Sequence, residues 1–106
     1  MSGKFDLGGL LQQAKQLQER LASVQDEIAN RTAEGRAGGG MVTAVANGRM
    51  EIVSVHIEPS LLERPDREML QDLVVAATNE ALRAARAIVA EEMQKATGGL
   101  PIPGLG

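Results

Sequence analysis

An apolar stripe near the N terminus constrains the fold more than any other feature of the sequence. Its residues recur at alternating spacings of four and three, and they are Leu10, Ala14, Leu17, Leu21, Val24 and Ile28. This 3.5-residue period predicts an amphipathic helix. The next position of the stripe is Arg31, so we expect the helix to end by Thr32. A helix over residues 7–31 would be about 37 Å long at ~1.5 Å per residue.

A helix of that length is longer than a small sheet, so part of this N-terminal stripe must contact another helix, in this chain or in a second copy. Two interpretations stay open at this point. The stripe is ordinary core that packs on the sheet, or it is the contact surface of a homodimer. We expect both to hold in part, with one end of the helix packed and the other end projecting.

After this helix the apolar period changes to two, which predicts β-strands. The strand candidates are residues 32–37, 41–46 and 50–57, and Gly38-Gly39-Gly40 separates the first two. We interpret the three glycines as a flexible link or bulge between strands. Neither of the glycine-rich phosphate-binding motifs fits them, and no helix follows.

Asn47-Gly48 lies between the last two strand candidates and is a strong signal for a hairpin. A two-residue type I′ turn requires positive φ at both residues. Such a turn would give the cross-strand pairs Val42 with Val53 and Val45 with Met50. A four-residue loop that passes through Arg49 is the alternative.

Pro59 ends the last strand, and residues 60–64 form a connector. Pro65 suits the first turn of a second helix, where Asp66 and Glu68 favour the positive end of the helix dipole. Small and aliphatic residues then form a wide stripe, made of Leu70, Leu73, Val74, Ala77, Ala81, Leu82, Ala85, Ile88 and Val89. The alanines of this stripe allow close approach to a sheet or to a second copy of the chain.

We therefore predict an α+β fold with a long N-terminal helix, a short antiparallel sheet of two to three strands and a C-terminal helix. Residues 1–97 form a single domain, because Lys95 and Gly98-Gly99 mark the end of the second helix. Residues 98–106 contain four glycines and two prolines, and we interpret them as a Gly/Pro-rich disordered tail.

The composition predicts a thin core. Phe5 is the only aromatic residue of the 106, and the chain has no cysteine. A chain of this length buries only roughly 60–65% of its unfolded surface, and aromatic side chains contribute most to a core, so we expect a homodimer. The N terminus lacks the apolar run of a secretory signal, and no stretch approaches the ~20 apolar residues that cross a bilayer. We expect a soluble cytoplasmic protein without membrane contact.

No combination of residues predicts catalysis. His56 is the only histidine, and without cysteine or a second histidine it can form neither a zinc site nor a nucleophile–base pair. It shares a strand face with Glu58, and a half-exposed strand residue is the simpler interpretation. Carboxylates adjacent in sequence, such as Glu91 and Glu92, do not face each other on a helix. We expect no enzyme, no metal, no cofactor and no small-molecule substrate.

The net charge is −3, so a surface for DNA must be a local patch. Residues 1–57 carry six basic and six acidic side chains, whereas residues 58–106 carry five basic and eight acidic ones. The candidate DNA-binding residues are basic side chains of the two helices, namely Lys15, Arg20, Arg31, Arg83 and Arg86. Each taken alone is better explained as a solvated or ion-paired side chain than as a DNA contact, and Glu80 lies three residues before Arg83. A two-fold dimer presents the patch twice, and phosphate contacts supply sequence-independent affinity.

The near absence of aromatic residues also restricts the kind of nucleic acid. Proteins that bind RNA or single strands use aromatic side chains as stacking platforms, and this chain has only Phe5. Duplex DNA is therefore the favoured ligand.

Several segments of the sequence form a familiar combination. They are the Gln-rich GGLLQQAKQLQERLASVQDEI, then EGRAGGGMVTAVANGRMEIVSVHIEPSLLE, then DREMLQDLVVAATNEAL and a Gly/Leu/Pro tail. Together they resemble the YbaB/EbfC family of bacterial nucleoid-associated proteins over nearly the whole chain. The most specific parts of the resemblance are GGGMV, the Asn-Gly turn, the strand that ends in IEPSLL, and LQDLVVAATNEAL.

The resemblance implies a homodimer whose long helices project like the jaws of tweezers, with duplex DNA between or beside them. It implies a cytoplasmic, nucleoid-linked role in DNA organisation and gene regulation or recombination, without enzymatic activity. The DNA-binding residues of the family lie on its helices, so the resemblance carries over to the five basic residues by region and charge only. The alternative function is a protein-interaction module that binds a partner helix on the N-terminal stripe, which the acidic net charge favours.

Overall fold

The computed structural model describes residues 6–96 and 98, and its elements follow the predicted order. The elements are α1 (Leu7–Ala29), β1 (Thr32–Ala37), β2 (Val42–Asn47), β3 (Ile52–Ile57), α2 (Ser60–Glu63) and α3 (Arg67–Ala96). The predicted α+β arrangement of two long helices and a short antiparallel sheet is confirmed, and the sheet has three strands. The predicted tail lies outside the described residues, apart from Gly98.

The N-terminal stripe of α1 is packed at one end only. The carboxylate of Asp6 accepts a hydrogen bond from the Gly9 amide at 3.0 Å and caps the start of the helix. At the other end Ile28 is 6% exposed, whereas Leu10 and Leu17 are 47% and 55% exposed. The expectation that one end of the stripe packs and the other projects is therefore confirmed.

The core lies between the sheet and one face of α3. Strand order is β1-β2-β3, with all neighbours antiparallel. Alternate residues of β2 are buried, which is the two-residue period of a strand covered on one face. The buried residues of α3 are spaced four apart on one face of the helix, and they are Ala77, Ala81 and Ala85. Small side chains on α3 bring its backbone close to β1 and β2.

Gly35 of β1 is the position where this approach is closest. A Cβ atom at Gly35 would lie 2.8 Å from the Cα atom of Ala81, and closer still to the carbonyl oxygen of Ala77. Only glycine fits between the strand and the helix here, because any side chain would overlap the helix backbone.

The turn between β2 and β3 differs from the predicted type I′ turn. Val42 pairs with Ile57 and Val45 with Ser54, so the predicted register is wrong. The loop spans residues 48–50, and positive φ occurs at Met50 (63°) rather than at Gly48. This is the three-residue hairpin loop, in which a turn is followed by one left-handed residue. The alternative prediction, a four-residue loop through Arg49, is closer to the observed turn, although the observed loop has three residues.

Gly38, Gly39 and Gly40 form a tight turn instead of a flexible link or bulge. All three have positive φ, at 64°, 69° and 95°, and the amide of Gly40 donates to the carbonyl of Ala37 at 3.2 Å. Glycine adopts these angles without the steric strain that a side chain would cause. The turn closes the β1–β2 hairpin, in which Ala37 pairs with Val42.

The start of α3 also differs slightly from the prediction. Pro65 lies before the helix, whereas we expected it in the first turn. Asp66 is the cap, because its carboxylate accepts a hydrogen bond from the Met69 amide at 3.1 Å. The predicted connector contains α2, a single helical turn that buries Leu61.

The two long helices lie almost end to end. Their 23 and 30 residues correspond to about 35 Å and 45 Å, and the chain measures 81 × 20 × 16 Å. Arg31, just after α1, contacts Glu92 near the end of α3, so the C-terminal ends of both helices meet beside the sheet. The N-terminal half of α1 therefore extends away from the core.

We expect Gly35→Ala to lower the free energy of unfolding by about 1–3 kcal/mol, because the added methyl group must separate β1 from α3. Urea denaturation followed by circular dichroism measures the change. Gly8→Ala is the matched control, since the nearest atom to its Cβ is 3.8 Å away, and we expect no loss of stability there. Equal stability of Gly35→Ala and the wild type would contradict the close packing.

Candidate nucleic-acid interface

The projecting half of α1 carries two of the predicted site residues. Lys15 and Arg20 are both exposed, as are all residues from 11 to 20. They are five residues apart, which places them about 140° apart around the helix axis at ~100° per residue. Residues 7–25 contain these two cations and one acidic residue, Glu19. This segment is thus a slender rod with a small excess of positive charge.

Arg31 lies at the corner between α1 and β1 and forms an ion pair. Its guanidinium is 3.0 Å from the carboxylate of Glu92 on α3. Lys95, one turn further along α3, is 3.6 Å from the same carboxylate. The hydrogen bond from Arg31 lowers the pKa of Glu92 below its ordinary value of 4.5, partial burial of the carboxyl opposes this, and the charge of Lys95 assists it. Arg31 thereby joins α1 to α3 electrostatically.

Arg83 and Arg86 lie on the side of α3 that faces away from the sheet. The residues that contact the sheet include Ala81 and Ala85, and positions 83 and 86 are on the opposite face at ~100° per residue. Arg83 forms an ion pair with Glu80 at 2.9 Å, and both side chains are more than half exposed. The pair is a surface contact between residues three apart on a helix, which contributes little to stability.

The five predicted residues do not form one patch on a single chain. Lys15 and Arg20 lie on the projecting rod, Arg31 at the corner, and Arg83 with Arg86 on the outer face of α3. Sequence reasoning missed Arg49, which lies in the β2–β3 turn beside the end of α1. Its guanidinium donates hydrogen bonds to the side-chain oxygen of Asn30 at 3.0 Å and to the Ala29 carbonyl at 3.4 Å. In the sequence, the only signal for a structural role of Arg49 is its position in the turn between two predicted strands.

His56 lies on the face of the sheet opposite α3. It pairs with Thr43 on β2, and its side chain borders a shallow, open groove with Glu34, Ser54 and Glu58. Within residues 6–96 and 98, no group of three or more His, Asp or Glu side chains is placed to hold a metal ion. None of the helices in the same described part of the chain is long and apolar enough to cross a membrane.

A protein-family model described as the YbaB/EbfC DNA-binding family matches residues 3–100 of this chain. The chain belongs to this family. The resemblance found in the sequence is thereby confirmed over nearly the whole length.

Several relatives of this YbaB/EbfC chain have closely similar sequences. A nucleoid-associated protein of Thermoanaerobacter pseudethanolicus is 52% identical over 103 residues, which are 97% of this chain and 93% of the relative. A nucleoid-associated protein of Pelotomaculum thermopropionicum is 47% identical over 100 residues, covering 94% and 95%. The crystal structure of an uncharacterized protein from Helicobacter pylori matches with a TM-score of 0.62 at 27% identity, covering 95% of this chain and all of that one.

The Arg31–Glu92 contact of this YbaB/EbfC chain gives a prediction on pH. We expect Arg31→Ala to raise the pKa of Glu92 toward 4.5, because the hydrogen bond from the guanidinium is the largest cause of the lowered value. A carboxyl group whose pKa is lower in the folded than in the unfolded chain stabilises the fold at pH values above the unfolded pKa. The difference in unfolding free energy between wild type and variant should therefore shrink as the pH falls through the lowered pKa of Glu92.

An NMR titration of the Glu92 side-chain carboxyl measures this shift. Arg83→Ala is the control, because Arg83 pairs with Glu80 instead, and it should leave the Glu92 titration unchanged. Identical Glu92 titrations in Arg31→Ala and wild type would show that the ion pair is absent in solution.

Proposed function

We propose that this chain is a nucleoid-associated protein that binds duplex DNA as a homodimer and takes part in nucleoid organisation in the cytoplasm, without catalysis. The observation that carries the proposal is the projecting half of α1, an exposed helical rod with cations on it in a member of the YbaB/EbfC DNA-binding family. In this proposal the protein also regulates genes, where it binds at particular DNA sites. The nucleoid-associated names of the relatives support this role.

Charge distribution favours α1 as the principal DNA surface. The favourable part is the projecting segment, because residues 7–25 hold two basic side chains and one acidic one, before the acidic Asp26 and Glu27 at the end of α1. The whole of α3 holds four basic and five acidic side chains. DNA phosphates attract local cations even when the net charge of the protein is −3. We assign the main phosphate contacts to Lys15 and Arg20, and supporting contacts to Arg31, Arg83 and Arg86.

The second copy covers β3 in this proposal. α3 packs mainly on β1 and β2, so the apolar residues of β3 remain exposed, and they are Ile52, Val53 and Val55. In the described part of the chain β3 pairs only with β2, so its outer backbone groups are free to pair with another strand. An exposed apolar edge strand is an association site unless something covers it.

The other edge of the sheet is less suited to pairing. Glu34 and Arg36 of β1 are exposed on that strand and contact each other at 3.3 Å. Charged side chains protect an edge strand, because pairing would remove them from water. A two-fold axis at β3 then gives the dimer two α1 rods, so that Lys15 and Arg20 are each present twice for contact with duplex DNA.

A second candidate function rests on the exposed stripe of α1. Leu10 and Leu17 remain largely uncovered in the single chain, and an apolar helix face of this kind can bind a partner helix. Such a protein-interaction module would require no contact with DNA, so DNA binding by the purified protein distinguishes the two functions.

We expect Val53→Lys to convert the homodimer into single chains at micromolar concentration, because a charge on β3 would be buried by the second copy. Val75→Lys is the matched control, since Val53 and Val75 are both 57% exposed and Val75 lies on α3. Sedimentation equilibrium measures the mass. If Val75→Lys separates the copies and Val53→Lys does not, the interface lies on α3 instead of β3.

We expect the double variant Lys15→Glu, Arg20→Glu to weaken the mobility shift of duplex DNA. It should also reduce the salt dependence of log K by roughly 0.9 for each phosphate that the variant no longer binds. Arg64→Glu with Arg67→Glu makes the same change of charge at the opposite end of the molecule, and we expect a much smaller effect. No shift by the wild type even at low salt would contradict DNA binding and favour the partner-helix function.

A further inference from the structure

The direction of α1 is determined at its C-terminal end. Residues 11–20 are all exposed, and burial within the helix is restricted to Ile28. The contacts that hold α1 therefore lie within its last two turns and the corner that follows. A small change at these contacts tilts the whole projecting rod.

The β2–β3 turn, residues 47–51, lies directly against the end of α1. The side-chain oxygen of Asn47 accepts hydrogen bonds from the amides of Arg49 and Glu51 at 2.9 Å and 3.1 Å. The side-chain amide of Asn47 also donates to the Glu51 carboxylate at 3.1 Å. These bonds fix the shape of the turn and hold the backbone of Arg49 in place.

Arg49 supplies what the end of α1 lacks. The last carbonyl groups of a helix have no partner within it, and the helix dipole makes this end negative. The last turn of α1 contains no basic residue. The guanidinium of Arg49 donates to the Ala29 carbonyl and to Asn30, so that a strand turn provides both the donor and the positive charge.

Gly48 allows the turn to come this close. A Cβ atom there would lie 3.0 Å from the Cα atom of Ala29 and closer to the carbonyl oxygen of Ile28. Gly48 does not have positive φ. The need for glycine at position 48 is therefore explained by this close approach and not by the conformation of the turn. Gly48 and Arg49 together hold the C-terminal end of α1, Gly48 by close packing and Arg49 by hydrogen bonds.

We propose that the β2–β3 turn is a dock that sets the direction of α1, with Arg49 as a positioning residue for DNA binding. The inference rests on the proposed function. Lys15 lies 14 residues before Ala29, about 21 Å along the helix. A tilt of about 10° would move it by roughly 4 Å, which is about the rise between successive phosphates of one strand. Loss of the dock therefore misplaces the cations without removing any of them.

The test measures the direction of α1 in the full chain by electron–electron distance spectroscopy. The chain has no cysteine, so Gln18→Cys on α1 and Asn79→Cys on α3, both exposed, give two unique spin-label sites. Labelled protein is diluted with unlabelled protein, so that only distances within one chain are observed. We expect Arg49→Ala and Gly48→Ala to broaden and shift the distance distribution, and Arg49→Lys to restore part of it.

Arg64→Ala is the matched control, because it removes the same charge from an exposed arginine that follows α2. We expect it to leave the distances unchanged and DNA affinity within about twofold, whereas Arg49→Ala weakens DNA binding about fivefold or more. Arg49→Ala also tests the dock if Gly48→Ala fails to fold, which thermal unfolding would reveal.

Unchanged distances in Arg49→Ala would overturn the proposal, and weaker DNA binding with unchanged distances would make Arg49 a direct DNA contact. Shifted distances in a protein whose wild type binds no DNA would support the dock and contradict the proposed function.

Discussion

The close approach of α3 to the backbone of the sheet is the contact on which the rest of this structure depends. Gly35 on β1 and the alanines of α3 form a core in which backbones, rather than large side chains, lie against each other. Such a core is narrow, and one helix covers mainly β1 and β2. The exposure of β3 follows from this narrow core, whereas the exposed half of α1 results from the helix projecting beyond it. In the proposed function both features serve association, β3 with a second copy and α1 with DNA.

Sequence periodicity was sufficient for the two long helices, the strands and their order, but it did not predict α2, the single helical turn in the connector. The 3.5-residue stripe predicted α1, the two-residue period predicted two to three strands, and the alanine-rich stripe predicted the face of α3 that packs. The β2–β3 turn was predicted wrongly, because Asn47-Gly48 was interpreted through local dihedral preference. Gly48 is required by the backbone of Ile28, which is 20 residues earlier in the chain. A contact of this kind leaves no periodic signal, and neither does the hydrogen bond of Arg49 to the end of a helix.

The candidate site was less predictable than the fold, for a related physical reason. Charge alone selected the basic residues of the helices, and charge does not distinguish a free cation from one that holds the structure together. Arg31 is bound to Glu92, 61 positions later, and Arg83 to its neighbour Glu80, whereas Lys15 and Arg20 lie on the projecting rod. Placing these residues required the tertiary structure, because their partners are determined by how α1, the sheet and α3 meet.

In the proposed homodimer, the unequal edges of the sheet limit how many copies can assemble. A sheet with two receptive edges adds strands at both sides and grows into an open ribbon, as fibrils do. Here Glu34 and Arg36 keep the β1 side hydrated, while the β3 side carries the apolar residues. Once two β3 strands have met around a symmetry axis, no receptive side is left. In this proposed assembly the charged pair on β1 stops the addition of further strands.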